Sequence, residues 1–264
     1  MIDKARNEFG KLVETVAELR GPNGCPWDKQ QTHDSLKRYA IEEIYELVEA
    51  IESGDEISLK DELGDVLLQV LLHARIAEEH GCFDIGDVCK AIGDKLRRRH
   101  PHVFSDLEVS GIDEIWANWE RIKRGEPGHR DRKSAIEGVP ASLPALMRAA
   151  AISRKAARVG FDWPDSASVL DKLNEEIEEL REAVGSGNRE HLEEEIGDVL
   201  FTVVNVARLN HIDPEEALRK MLEKFQRRFR LIEKRAQETG RSVNELTIDE
   251  MDRVWTQAKK DSLG

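Results

Sequence analysis

One acidic pattern is written twice along this chain. Glu42-Glu43-Ile44-Tyr45-Glu46 is followed by Glu62-Leu63-Gly64-Asp65, and Glu175-Glu176-Ile177-Glu178-Glu179 by Glu195-Ile196-Gly197-Asp198. Every matched carboxylate is 133 residues from its partner, from Glu42 and Glu175 through to Asp65 and Asp198. Chance likeness between charged helices does not hold register so well. Residues three apart share one face of an α-helix, so Glu43 projects with Glu46 and Glu62 with Asp65. Two such helices packed antiparallel bring four carboxylates to one spot. Left uncompensated, that spot repels itself and calls for cations.

The 264 residues therefore divide into two halves, each long enough to bury a core of its own. Charged residues make up 35% and aromatics 5%, with few β-branched runs, a balance that points to an all-α fold. Apolar spacing predicts a helix from about Asp3 to Leu19, ended by Arg20-Gly21-Pro22-Asn23-Gly24. A second starts near Asp34, with Leu36, Ala40, Leu47 and Ile51 toward the core. After the turn Ser53-Gly54-Asp55 comes a third, capped by Ser58, with a stripe of Leu59, Leu63, Val66, Val70 and Ala74. A fourth ends before Pro101 and carries Lys95, Arg98 and Arg99 in its last turn; a fifth, Ile112 to Lys123, has Trp116 and Trp119 on its apolar side. The second half repeats these parts: a helix near Leu143 to Val159, the Glu175 helix, the Glu195 helix, one opened by Asp213-Pro214 with Lys224, Arg227 and Arg228, and a last one with Trp255 and Lys259. The Gly- and Pro-punctuated stretch 125–140 reads as a linker between domains 1–124 and 141–264.

A net charge of −13 argues against a nucleic-acid surface, because phosphate backbones are bound by basic patches. No stretch approaches the roughly 20 apolar residues that span a bilayer. Three cysteines without CxxC spacing, in a chain with no apolar signal peptide, fit a reducing cytoplasm, and they read as buried or half-buried thiols. The clustered carboxylates are hard oxygen donors suited to magnesium, manganese or calcium. A ferritin-like di-iron site needs Glu-x-x-His, and here Asp65 and Asp198 stand where the histidine would be. Magnesium typically joins a few carboxylates to substrate phosphates. The two Lys-x-x-Arg-Arg clusters supply the complementary cations for a nucleotide polyphosphate. Glu178, Glu182, Glu190 and Glu193 read as solvated surface.

Together, the duplicated Glu-Glu-x-x-Glu and Glu-x-x-Asp pairs, Cys25-Pro26-Trp27-Asp28 before the first and Gly160-Phe161-Asp162-Trp163 before the second resemble the MazG family of nucleoside triphosphate pyrophosphohydrolases over nearly the whole chain. The resemblance implies a tandem of two MazG-like helical domains whose four-helix cores are completed by dimerisation into a homodimer. It also implies magnesium-dependent cleavage between the α and β phosphates to give a monophosphate and pyrophosphate, with manganese as a substitute metal. By matching position, Glu176, Glu179, Glu195 and Asp198 would hold metal in the second domain, and Glu43, Glu46, Glu62 and Asp65 in the first. Lys172, Glu175, Glu176, Glu194, Lys224, Arg227, Arg228, Trp255 and Lys259 would contact nucleotide, with Glu175 and Glu194 as candidates to activate water. The second domain is expected to carry the main activity. His191 departs from the family's pattern, standing where a lysine is expected, and neutral imidazole binds phosphate less well. Two rivals remain: a narrower dUTP or phosphoribosyl-nucleotide pyrophosphatase, and a regulatory module that binds metal and nucleotide without cleaving.

Overall fold

Two turns decide where the carboxylates meet. The computed structural model describes residues 2–126 and 134–261. It divides into two units, Met1–Arg130 and Asp131–Gly264. In the first, α3 (His33–Ser53) is closed by Gly54 at φ 69°, a left-handed conformation that favours glycine, and α4 (Glu56–Glu79) begins directly after Asp55. In the second, α9 (Ser166–Ser186) ends on Gly187 at φ 67° and α10 (Arg189–Leu209) starts after Asn188. A turn this short makes its two helices antiparallel neighbours. Glu46 and Glu62 each lie eight residues from Gly54, and Glu43 and Asp65 each lie eleven. Glu179, Glu195, Glu176 and Asp198 keep the same distances from Gly187. The paired carboxylates therefore stand level across each hairpin.

The cap of α4 is Asp55, whose Oδ1 accepts from Ile57 N at 3.0 Å, and not Ser58. The Ser58 hydroxyl instead donates to Asp55 Oδ2 at 2.7 Å. A carboxylate at the N-cap accepts from backbone amides and meets the positive end of the helix dipole, which explains why Asp55 takes the position.

Around its hairpin the first unit places α1 (Ile2–Arg20), the short α2 (Pro26–Gln30), α5 (Ile85–Arg99), α6 (Pro101–Phe104) and α7 (Ile112–Arg124). Its core gathers Val16, Leu36, Leu71, Leu72 and Ile76, with Phe9, Tyr39 and Leu68 packed against them. The second unit surrounds its hairpin with α8 (Ala145–Ala157), α11 (Pro214–Glu238) and α12 (Ile248–Asp261). There Ile232, Ala236 and Leu246 form a core cluster with Phe229 and Trp255. All described elements are helical, as expected of an all-α chain. Of the stretch read as a linker, residues 127–133 lie outside the described residues.

Several positions expected inside are exposed: Ile51, Leu63, Val70 and Trp116 each keep more than 40% of their surface. Of the expected α4 stripe Ala74 is buried, and the rest of the buried stripe runs through Leu71, Leu72 and Ile76 instead. Cys82 and Cys89 are exposed and only Cys25 is half-buried. Periodicity finds the apolar stripes of α3 and α4, but these helices have two apolar flanks, and α1 covers just one.

Across the hairpin of the first unit, His33 and His73 stack with their Nδ1 atoms 2.8 Å apart. One ring donates its proton to the other, so the pair needs at least one neutral imidazole. Burial, and then the charge of His33, hold His73 below its ordinary pKa. A depressed histidine gives stability that is full above about pH 6.5 and is lost as pH falls through that value, because the unfolded chain takes the proton more readily. The unfolding midpoint is expected to drop between pH 7 and 5.5, and His73→Gln to flatten that part of the profile in thermal scans. An unchanged slope in the variant would remove the pair as the cause.

Candidate functional site

The second unit draws its acidic residues into a buried focus. One carboxylate oxygen from each of Glu176, Glu179 and Glu195 lies within 4.8 Å of the others. Glu176 and Glu195 are buried, at 6% and 8% exposure. Oε2 of Glu195 is buried without any hydrogen-bond partner. An ionised oxygen in that state is costly unless a cation faces it, so this donor set fits a hard divalent metal. Lys172, one turn earlier on α9, partly compensates: Nζ lies 2.6 Å from Glu175, 3.0 Å from Glu176 and 4.0 Å from Glu179. Those bonds raise the pKa of Lys172 and keep it charged. For Glu179, desolvation outweighs the Lys172 charge and pushes its carboxyl up, with Glu176, Glu175 and Glu195 adding repulsion. His191 Nδ1 sits 3.3 Å from Glu195 Oε1, so the residue standing in for a lysine faces the same focus.

Asp198, one turn past Glu195, is exposed and outside this trio, but it lines a cavity of about 610 Å³ together with Lys172 and Glu176. Phe161, Trp163, Phe201, Ile136 and Ile152 give the cavity an apolar wall. Its other polar members are Asp162, Ser153, Thr202, Asn205 and Arg208. Arg208 grips Asp162 with both terminal nitrogens, and this hydrogen bonding holds the Asp162 carboxyl below the usual range. Asn205, at 4% exposure, accepts from Ser153 Oγ and from Arg208 Nε and Nη2, and donates to the Phe201 carbonyl at 3.0 Å. Sequence reading named Asp162 only as part of a family pattern and missed Ser153, Thr202, Asn205 and Arg208. The amide inside Val203-Val204-Asn205-Val206 was the available signal, since a lone polar side chain on an apolar helix face needs a partner.

The basic cluster lies outside the lining of this cavity. Arg228 lies over the Trp255 ring at 5.6 Å, and Phe225 packs on the same ring at 5.2 Å. Lys224, Arg227 and Arg228 form no ion pair among the described residues, and Nε of Arg228 is buried without a partner. Lys259 is exposed on α12, and Glu175 and Glu194 are exposed beside the acidic focus. None of these six residues lines the cavity. Glu178, Glu182, Glu190 and Glu193 are exposed, as their reading as solvated surface requires.

The first unit repeats the acidic focus with Glu43, Glu62 and Asp65, whose oxygens also converge within 4.8 Å. Glu46 lies outside that trio but adds repulsion that raises both Glu43 and Glu62, after the larger effect of desolvation. Oε2 of Glu62, like that of Glu195, is buried and unpartnered.

This duplicated hairpin and its acidic focus coincide with a family model, the MazG nucleotide pyrophosphohydrolase domain, which matches residues 31–104 and again 165–230. The chain belongs to the MazG family. The nucleoside triphosphate pyrophosphohydrolase of Escherichia coli (strain K12) is 44% identical over 262 residues, covering 97% of this chain and 99% of that protein. The nucleoside triphosphate pyrophosphohydrolase/pyrophosphatase MazG of Thermotoga maritima is 46% identical over 251 residues, covering 95% of each. The uncharacterized protein YabN of Bacillus subtilis is 50% identical over 96% of this chain and 52% of its own length. The two MazG matches enclose both carboxylate hairpins, so the tandem repeat read from the acidic pattern is a repeat of one family domain.

Proposed function

We propose that this MazG protein hydrolyses nucleoside triphosphates between the α and β phosphorus atoms. Water supplies the new phosphorus–oxygen bond, the bridge between the two phosphorus atoms breaks, and nucleoside monophosphate and pyrophosphate leave. The observation that carries the reading is the converging Glu176–Glu179–Glu195 trio, two of its members buried and one Glu195 oxygen unpartnered, beside a cavity of about 610 Å³. That volume lies within the range of small-molecule sites, roughly 300–1,000 Å³. The names of the Escherichia coli and Thermotoga maritima relatives support the same activity.

Glu176, Glu179, Glu195 and Asp198 would hold magnesium, or manganese in its place. When bound, the cation neutralises phosphate oxygens and polarises phosphorus toward attack. The remaining work falls to the chain. Lys172, Lys224, Arg227, Arg228 and Lys259 take phosphate oxygens, Trp255 stacks on the nucleoside, and Glu175 or Glu194 accepts the proton of the attacking water. Glu43, Glu46, Glu62 and Asp65 are the equivalent set of the first domain, 1–124, joined through 125–140 to the second, 141–264. A second copy would cover the exposed apolar residues of each hairpin, Ile44, Leu63 and Val70 in the first unit and, separately, Ile196, Leu200 and Val203 in the second, making a homodimer. No helix of the described residues is long and apolar enough to cross a membrane, which supports a cytoplasmic enzyme.

The test is product analysis with a panel of ribo- and deoxyribonucleoside triphosphates, with and without magnesium. Monophosphate plus pyrophosphate, lost on chelation, is expected. Diphosphate plus phosphate would put the cut at the wrong bond and reject the reading. Nucleotide bound in magnesium but left intact would favour the regulatory module.

A further inference from the structure

In each unit an arginine of the Lys-x-x-Arg-Arg cluster lies over a tryptophan of the last helix. Arg99 sits 5.1 Å over Trp119, as Arg228 sits over Trp255. Around these matched pairs the two units differ. In the first, Glu126 follows the C-terminus of α7, where its backbone N–H donates to the Lys123 carbonyl at 3.2 Å. Its side chain, 8% exposed, points into the cluster. Oε1 accepts from Arg98 Nε at 3.1 Å, Arg98 Nη2 at 2.8 Å and Arg99 Nε at 3.1 Å, and Oε2 accepts from Arg99 Nη2. Four N–H donors from two guanidinium groups thus converge on one buried carboxylate. The Arg99 and Arg98 hydrogen bonds hold that carboxyl at about 2, so it is an anion at every working pH. In the second unit no described carboxylate takes this place, and Arg228 Nε is buried and unpartnered.

Paired guanidinium forks suit phosphate oxygens as well as they suit a carboxylate. We propose that Glu126 stands in for a phosphate group at the Arg98–Arg99 pair, closing the anion site of the first unit, so that nucleotide enters that unit only when Glu126 is displaced. The inference rests on the functional reading above, since it takes the matching cluster of the second unit as the open phosphate site. It goes beyond that reading in giving the two halves different states: one cluster is free for substrate, the other is filled by the chain itself. The plug is tethered within the same unit, so it competes at a high effective concentration.

The experiment is calorimetric titration of the full chain, in magnesium, with α,β-methylene-ATP, whose α–β bridge resists hydrolysis. Wild type is expected to bind one analogue per chain and Glu126→Gln two, with the second lost again in Glu126→Gln combined with Arg99→Ala. Circular dichroism and thermal scans establish that the variants are folded. A folded Glu126→Gln chain with wild-type stoichiometry overturns the proposal, because a merely structural carboxylate would change stability and open no site. Two analogues on wild type also overturn it. Wild type that binds none rejects the functional reading instead; the proposal then stands only if Glu126→Gln binds one, and falls if it too binds none. Should Glu126→Gln fail to fold, Glu126→Asp keeps the charge but withdraws it by one methylene. A second, weaker site is expected there, and its absence overturns the proposal.

Discussion

Glu179→Gln is expected to abolish turnover and, in metal-free buffer, to raise the unfolding midpoint. The two effects have one cause and opposite signs. With no cation present, Glu179 is desolvated and faces Glu176, Glu175 and Glu195, which together push its carboxyl above the ordinary range despite Lys172. A carboxyl raised in the folded state costs nothing below its unfolded pKa, and its full cost is present above its folded pKa, so at neutral pH the metal-free chain carries the penalty. An amide of nearly the same shape removes that charge. It also removes an oxygen donor from the trio, and losing even an indirect support of a metal typically costs about 10–100-fold in affinity or activity. A direct ligand should cost at least the upper figure. Magnesium binding only the folded state stabilises by about 2.7 kcal/mol at a hundredfold excess over its Kd. The wild-type midpoint should therefore rise by several degrees in magnesium, while the Glu179→Gln midpoint starts higher and moves little. Asp198→Asn should also lose turnover, and Asp65→Asn should keep it. If Asp65→Asn abolishes turnover and Asp198→Asn does not, the assignment of the active half is reversed. A Glu179→Gln chain less stable than wild type in chelator would show that the trio is held by protein contacts and needs no cation.

The acidic focus was legible because it is local. Each trio comes from one hairpin, helical spacing sets which carboxylates share a face, and a glycine-closed turn sets which of them stand level. Nothing distant is needed beyond antiparallel packing. The cavity was illegible for the opposite reason. Beyond Lys172, Glu176 and Asp198, which the acidic pattern already marked, it is walled mainly by residues of α8, the Phe161–Trp163 turn and the C-terminal half of α10, whose polar members appear singly among apolar neighbours. Ser153 and Asn205 are 52 residues apart, and nothing in either neighbourhood names the other. The same distance problem hid Glu126: it lies 27 and 28 residues beyond the arginines that it binds, at the edge of a charged stretch where one more carboxylate carries no signal. Exposure of Ile51, Leu63 and Val70 was missed because periodicity reports that a flank is apolar, not which neighbour covers it.

Asn205→Leu should lower kcat/KM by about 10–100-fold, mainly through KM, while leaving the fold intact. The choice of leucine comes from the chain itself. At the repeat offset, Asn205 corresponds to Leu72, which is 2% exposed in the core of the first unit beside Val16, Leu36 and Leu71. One register position is thus an apolar core residue in one half and a hydrogen-bonded amide on a cavity wall in the other. Leucine at 205 deprives the Ser153 hydroxyl and one edge of Arg208 of their acceptor, although Arg208 keeps Asp162. A polar group left unpaired costs about 1–3 kcal/mol. That equals roughly one to two powers of ten in kcat/KM if the cost is met on binding, and apolar burial offsets part of it in the free protein. The reverse change supplies the control. Leu72→Asn puts an amide into a closed apolar core, so it should lower stability by at least the cost of an unpaired polar group, about 1–3 kcal/mol, while kcat/KM of the folded fraction stays at the wild-type value. Steady-state kinetics with one good substrate, alongside urea unfolding of both variants, separates the two effects. Wild-type KM in Asn205→Leu would show that the cavity wall at Asn205 takes no part in substrate binding, and a loss of kcat/KM in folded Leu72→Asn would give the first unit a share of the turnover.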